Sequence, residues 1–192
     1  VGGPGDDKVG GAVLLTAPAL DRLARFTLSG WFRSQRHGSL TRLFYKRDAW
    51  DVSVGDGSLG MAVVSAKEKR YQTLERAGRP WGEGWEFIAI AVDGEADEAR
   101  AWRGQADTGR LSLAGEVKGI GRPDAADSAV EIATLEGLRP FQGQVDRVRI
   151  HDAALEPDQV QALFAEGLAA RRTLADAVAA LPPRRGQGPK LS

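Results

Sequence analysis

Hydrophobic and polar positions alternate along most of this chain. From Phe26 to Arg33 the alternation is strict, with Phe26, Leu28, Gly30 and Phe32 on one side and Thr27, Ser29, Trp31 and Arg33 on the other. This is the two-residue period of a half-buried β-strand. Shorter runs of the same kind cover residues 12–16, 40–46, 50–54 and 59–64, separated by Gly-rich or Asp-Gly breaks. Asp56-Gly57, between two such runs, predicts a tight hairpin. The run from Trp85 to Val92 is the most apolar and predicts a central strand that stops at Asp93-Gly94. Residues 98–103, 110–113, 129–133 and 145–150 read as further strands. Many short strands, Gly-marked turns and almost no helical period before residue 156 predict an all-β, antiparallel sandwich or barrel.

The period changes after the last strand. Glu156 is a poor N-cap by residue type, but Pro157 suits a first helical turn, and Leu155 and Val160 stand at the spacing of a hydrophobic staple. Val160, Leu163 and Phe164 then form an apolar stripe. Gly167 predicts a break. Residues 171–181 follow as a second helix, with Leu174, Val178 and Leu181 at helical spacing and Pro182-Pro183 as its stop. The chain thus divides into a sandwich with a closing helix over 1–168, led by a glycine-rich and flexible stretch at 1–11, and a basic helical extension over 169–192.

Composition removes several function classes. A chain of 192 residues suffices for one substantial core. Lys plus Arg and Asp plus Glu both number 26, and the cations are not interleaved with aromatics, which argues against a nucleic-acid binder. The absence of cysteine excludes disulfides, thiolate catalysis and cysteine metal sites. No apolar run approaches the roughly 20 residues of a membrane-spanning helix. The chain begins at Val1 without an initiator Met, which leaves room for a removed signal or anchor. Charge is uneven: Arg33, Arg36, Arg42, Lys46 and Arg47 cluster, Asp93, Glu95, Asp97 and Glu98 make an acidic turn, and Arg171, Arg172, Arg184, Arg185 and Lys190 make the end basic.

Four stretches share a pattern beyond their period. They are Gly10-Gly11-Ala12-Val13-Leu14-Leu15, Phe26-Thr27-Leu28-Ser29-Gly30-Trp31-Phe32, Trp85-Glu86-Phe87-Ile88-Ala89 with Trp102-Arg103-Gly104 after it, and Gly143-Gln144-Val145-Asp146-Arg147-Val148-Arg149-Ile150 leading through Ala154-Leu155 into a helix. Their order and spacing over roughly residues 10–165 resemble the laminin-G-like, concanavalin-A-like jelly-roll family. The resemblance implies a two-sheet antiparallel jelly-roll sandwich with C-terminal helices. It places the closing strand near the opening one, and the following helix over an end of the sandwich.

The resemblance also raises three chemistries. Hydrolases of this fold carry Glu-x-Asp-x-x-Glu on a strand, giving the carboxylate pair that glycoside hydrolysis needs. Glu156-Pro157-Asp158-Gln159-Val160-Gln161 ends in Gln at a helix start, and Glu95-Ala96-Asp97-Glu98-Ala99-Arg100 ends in Arg in a turn, so no catalytic residue is assigned. Relatives that bind calcium use loop carboxylates, for which Asp6, Asp7, Asp48, Asp51, Asp93 and Asp97 are candidates, although no twelve-residue calcium loop is present; no cofactor is assigned. His37 stands among arginines and His151 in a turn, neither with a second imidazole nearby. Glycan binding would use aromatic platforms. Trp81, between Pro80 and Gly82, and Trp50, after the Lys46-Arg47-Asp48 turn, are the candidates; Trp31 would serve if its face were open, and Tyr45 and Tyr71 are the remaining large polar aromatics.

Asp146 reads as structural, accepting turn amide hydrogens or pairing with Arg147 or Arg149. The C-terminal extension reads as a helix that either packs on its own sandwich, extending the first helix, or docks on a partner, with docking preferred. Leu174, Val178 and Leu181 would fill an apolar groove, with Arg171, Arg172, Arg184 and Arg185 as rim charges, since an isolated helix of about eleven residues is marginal in water. The functional expectation is therefore a non-catalytic protein-interaction or scaffolding domain, an accessory subunit of an extracytoplasmic assembly with a protein partner. Peripheral contact with acidic lipid headgroups is open to the basic end. Carbohydrate binding is the alternative, and hydrolysis is disfavoured.

Overall fold

The structure, a computed structural model, describes residues 13–35, 40–55, 58–75, 83–133 and 141–179, with side chains to Leu174. These residues form eleven strands: β1 (Val13–Leu15), β2 (Arg25–Ser34), β3 (Thr41–Lys46), β4 (Trp50–Gly55), β5 (Ser58–Ser65), β6 (Glu68–Glu75), β7 (Glu86–Asp93), β8 (Glu98–Gln105), β9 (Arg110–Lys118), β10 (Val130–Ile132) and β11 (Gly143–His151). One helix, α1 (Pro157–Ala179), follows. The strands build a six-stranded sheet in the order β1-β10-β3-β4-β5-β6 and a five-stranded sheet in the order β11-β2-β7-β8-β9. Every neighbouring pair is antiparallel. The result is the two-sheet jelly-roll sandwich predicted, with a single C-terminal helix.

Alternation decides what each sheet turns inward. Phe26, Leu28 and Phe32 of β2, with Ile88, Ile90 and Val92 of β7, meet Phe44, Trp50, Val52, Met61 and Val63 of the other sheet in the main core. Trp50 stacks on Phe26 with ring centroids 5.3 Å apart. At one edge the sheets come very close: a Cβ added at Gly115 would lie 1.5 Å from the Leu74 carbonyl oxygen, so only glycine fits there. Gly55 pairs with Ser58 across the β4–β5 connection, which is the register a two-residue hairpin requires; Asp56 and Gly57 themselves lie outside the described residues.

The second core lies on the outer face of the five-stranded sheet. Trp31, Phe87 and Trp102, which alternation points away from the main core, are roofed by Leu155, Val160 and Phe164 of the helical segment. Trp31 stacks on Phe164 with centroids 5.4 Å apart and an interplanar angle of 18°.

Four expectations are corrected here. The helix is one element, not two, and Gly167 does not break it. A Cβ at Gly167 would stand 2.2 Å from Trp31 Nε1, so this glycine lets the helix settle against the indole. The helix covers the broad outer face of a sheet, not an end of the sandwich. The closing strand β11 pairs with β2, whereas β1 joins the opposite sheet. And β6 is a strand that the sequence does not predict, because EKRYQTLE has no apolar alternation to read.

Candidate functional site

With α1 on the five-stranded sheet, the six-stranded sheet keeps the other outer face. Trp50, Val52 and Val54 of β4 turn into the core, so Asp51 and Ser53 between them turn out. The register extends this to one row across all six strands: Leu14, Glu131, Tyr45, Asp51, Ala62 and Tyr71. A second row on the same face runs through Arg42, Ser53, Gly60 and Thr73. Small residues floor the middle of this face, between tyrosines on β3 and β6.

Its electrostatics centre on Asp51, which is 1% exposed. Lys69 Nζ lies 2.7 Å from Asp51 Oδ2, and Arg42 Nε lies 3.6 Å from Oδ1. The latter distance is too long for a direct hydrogen bond, and Arg42 Nε is buried without one. Burial works against the Lys69 charge, but the hydrogen bond and charge of Asp51, with Tyr71, outweigh it and hold the ammonium above its ordinary pKa. That ammonium also stands 5.0 Å from the centroid of the Tyr71 ring, a cation–π distance. Tyr71 itself is 67% exposed.

This face runs into an open groove at the turn end of the sheet. Val64, two residues along β5 from Ala62, lines a depression of about 600 Å³ with Asp48, Ala66, Lys67, Asp124 and Ala125. A neighbouring depression of about 690 Å³ shares Asp48 and Ala125 and adds Arg22, Arg47 and Asp127. The β5–β6 turn holds Ala66 and Lys67 at φ of 50° and 63°, a left-handed pair unfavourable for residues with a Cβ. The Asp124 carboxylate offsets this by accepting both turn N–H groups, at 2.9 and 2.7 Å.

The residues singled out in the sequence fall in several places. Trp50 is 2% exposed and belongs to the inter-sheet core, because alternation in β4 turns its ring inward; it is withdrawn as a stacking platform. Trp31 is buried beneath α1 and is likewise no open platform. Trp81 lies outside the described residues. Asp146 accepts a hydrogen bond from Arg171 at 2.7 Å and has Arg147 at 3.7 Å. Arg149 instead pairs with Glu166 of α1, donating from Nη1 at 2.8 Å. The strand's register shifts between Asp146 and Arg149, with Arg147 at φ 50°, so simple alternation past Asp146 does not hold.

Arg171 is corrected as a rim charge for a partner. Its guanidinium packs within this chain, 3.8 Å from the Trp85 ring centroid and 4.6 Å from that of Trp31, while it bonds Asp146. Arg172 and Leu174 are exposed. The side chains of Val178, Leu181, Arg184 and Arg185 lie outside the described ones.

Of the candidate calcium carboxylates, Asp51, Asp93 and Asp97 have partners in the fold, and Asp48 lines the groove described above. Asp93 accepts the N–H groups of Glu95 and Ala96, both at 3.0 Å. Those bonds, the Ala96 N–H foremost, together with Arg25, hold its carboxyl below the ordinary carboxylate range against the effect of burial. Asp97 accepts the Gly121 N–H at 2.6 Å. Among the described residues no group of three His, Asp or Glu side chains is placed to hold a metal ion; Asp6 and Asp7 lie outside them. Glu156, first of the hydrolase-like run, pairs with Arg100 at 3.2 Å. Sequence reasoning names Tyr45 and Tyr71 but misses Asp51 with Arg42 and Lys69 as a cluster, because that needs the register of β6.

Two antiparallel sheets face to face, with the outer face of one roofed by a helix, define a jelly-roll module of lectin type. The family model described as "Concanavalin A-like lectin/glucanases superfamily" matches residues 6–161, and the chain belongs to that family. No curated protein matches it. Among solved structures, the CBM40 of a Ruminococcus gnavus IT-sialidase bound to α2,3 sialyllactose is similar with a TM-score of 0.62 at 15% identity, over 81% of this chain and 92% of that one. Domain 4 of AbnA, a GH43 extracellular arabinanase from Geobacillus stearothermophilus in complex with arabinotriose, gives 0.60 at 20% identity, over 85% and 82%. A native heptameric SAP-like pentraxin from Limulus polyphemus gives 0.59 at 17% identity, over 83% and 77%. Identities this low carry the fold alone.

Proposed function

We propose that this chain is a non-catalytic, glycan-binding module whose ligand lies on the outer face of the six-stranded sheet. The observation that carries the reading is an exposed Tyr71 ring beside a buried Asp51 with two cations. A pyranose has an apolar CH face for the ring and hydroxyls that accept from the partly exposed Lys69 ammonium, which the buried Asp51 carboxylate holds in place beside Tyr71. Ser53, Gly60 and Ala62 leave room between the tyrosines. The similar structures bound to sialyllactose and to arabinotriose support the reading. Trp81 is a second platform in this proposal. We further propose that it works outside the cytoplasm, as the similar domain of an arabinanase described as extracellular suggests.

The test is a screen against a broad panel of oligosaccharides, followed by titration of the best ligand. Tyr71→Ala is expected to weaken binding at least tenfold while leaving the unfolding temperature near that of the parent. Unchanged affinity in both Tyr71→Ala and Trp81→Ala would refute this assignment. The protein-interaction reading, an accessory subunit docking through its C-terminal helix, comes second. Leu174, 65% exposed on α1, favours it. Truncation after Thr173 that abolishes association with a co-purifying protein would move it to first place.

A further inference from the structure

We infer that the chain carries a second ligand site on its opposite side, a groove between the β8–β9 turn and α1 that takes an anionic saccharide. The groove has a volume of about 700 Å³ and is lined by Gln105, Thr108, Arg110, Leu111, Ser112 and Gln161. That volume falls in the range of pockets for small ligands, roughly 300–1,000 Å³. Leu111 gives an apolar floor, because it packs against the second core beneath the helix. The polar lining is amide, hydroxyl and guanidinium, with no carboxylate.

Apart from the Ser112 hydroxyl, which donates to the Arg103 carbonyl oxygen at 3.4 Å, the amide and guanidinium donors in this groove are unspent. Among the described residues, the side-chain amides of Gln105 and Gln161 make no hydrogen bond, and Arg110 has no ion-pair partner. Arg172 has none either. It borders the groove at the turn, with Nη2 3.5 Å from where a Cβ on Gly109 would stand. Asp107, the acid of the turn, is occupied with the Thr108 N–H at 2.8 Å. Glu166, further along α1 than Gln161, is taken by Arg149. Contrast Arg100, Arg103, Arg149 and Arg171, each paired with a carboxylate of the chain. Two guanidiniums left over beside neutral donors fit an oxyanion on a hydroxylated ring: the anion's oxygens are met by forked N–H groups, and the amides both donate to and accept from hydroxyls. A carboxylated or a sulfated sugar has this chemistry.

The site is separate from the tyrosine-lined face, and the two are tested independently. The full chain is titrated with a galacturonate hexamer, a sulfated κ-carrageenan hexamer and a neutral galactose oligomer. Binding of at least one anionic hexamer is expected, with affinity falling as salt rises. Arg110→Gln combined with Arg172→Gln should weaken that binding at least tenfold, as should Gln161→Leu to a smaller degree, with Tyr71→Ala leaving it unchanged. The more affected hexamer tells carboxylate from sulfate. Absence of binding to both anionic hexamers, or binding that survives the double substitution, would overturn the proposal. All of the substituted side chains are at the surface, so unfolding temperatures should match the parent and keep the comparison interpretable.

Discussion

Single residues in this chain are set by what lies opposite them. Gly167 interrupts an apolar stripe, which in sequence looks like a break; in the fold it faces the Trp31 indole across a gap too small for a methyl group. Gly167→Ala must push the helix or rotate the indole. Overpacking of that kind costs about 1–3 kcal/mol, which for a domain of this size lowers the unfolding temperature by roughly 2–4 °C per kcal/mol. A variant that melts with the parent would contradict the contact. His151 gives a second test. Burial first, then the Arg149 charge, push its imidazole below the ordinary pKa, with Asp152 opposing. The unfolded chain therefore takes the proton first as pH falls. Stability from this group is complete above its ordinary value of about 6.5 and declines as pH drops from there through the lower folded value. His151→Asn should flatten stability across that window, measured by urea unfolding at stepped pH; a slope equal to the parent's would assign it to other groups.

At the scale of elements, the helix is the feature that gives the two sheets different roles. Its Val160 and Phe164 cover Trp31, Phe87 and Trp102, and it is tied to β11 by Arg171 to Asp146 and Arg149 to Glu166. Phe164→Ala removes the ring stacked on Trp31 and should cost about 3–5 kcal/mol in chemical denaturation; a loss below about 1 kcal/mol, the scale of an ordinary surface change, would mean that the helix is dispensable to the sandwich. Much of this is legible in the sequence. The alternation of β2, β7 and the β4–β5 pair announces strands because one face of each is apolar. What the period cannot say is which outward face stays open. Trp31 has the same polar-side position as an exposed platform would, and only the helix docking distinguishes them. β6 is illegible for the opposite reason: its outer residues, Lys69, Tyr71 and Thr73, are polar, and the edge position asks for little apolar burial. The cluster around Asp51 is hidden with it, since a cross-strand triad needs register, which a sequence alone does not supply.

Across the whole molecule, the two outer faces of the sandwich differ. The five-stranded sheet carries an aromatic core under α1; the outer face of the six-stranded sheet carries Tyr71, Asp51, Lys69 and Arg42 among small residues. Glycan binding on the outer face of the six-stranded sheet is read out by amide resonances in nuclear magnetic resonance during titration with the best neutral oligosaccharide. Shifts are expected to cluster at Tyr45, Asp51, Ala62, Lys69 and Tyr71, with α1 and β9 silent; shifts confined to α1 and β9 would place the ligand on the other side of the sandwich and contradict the proposed site.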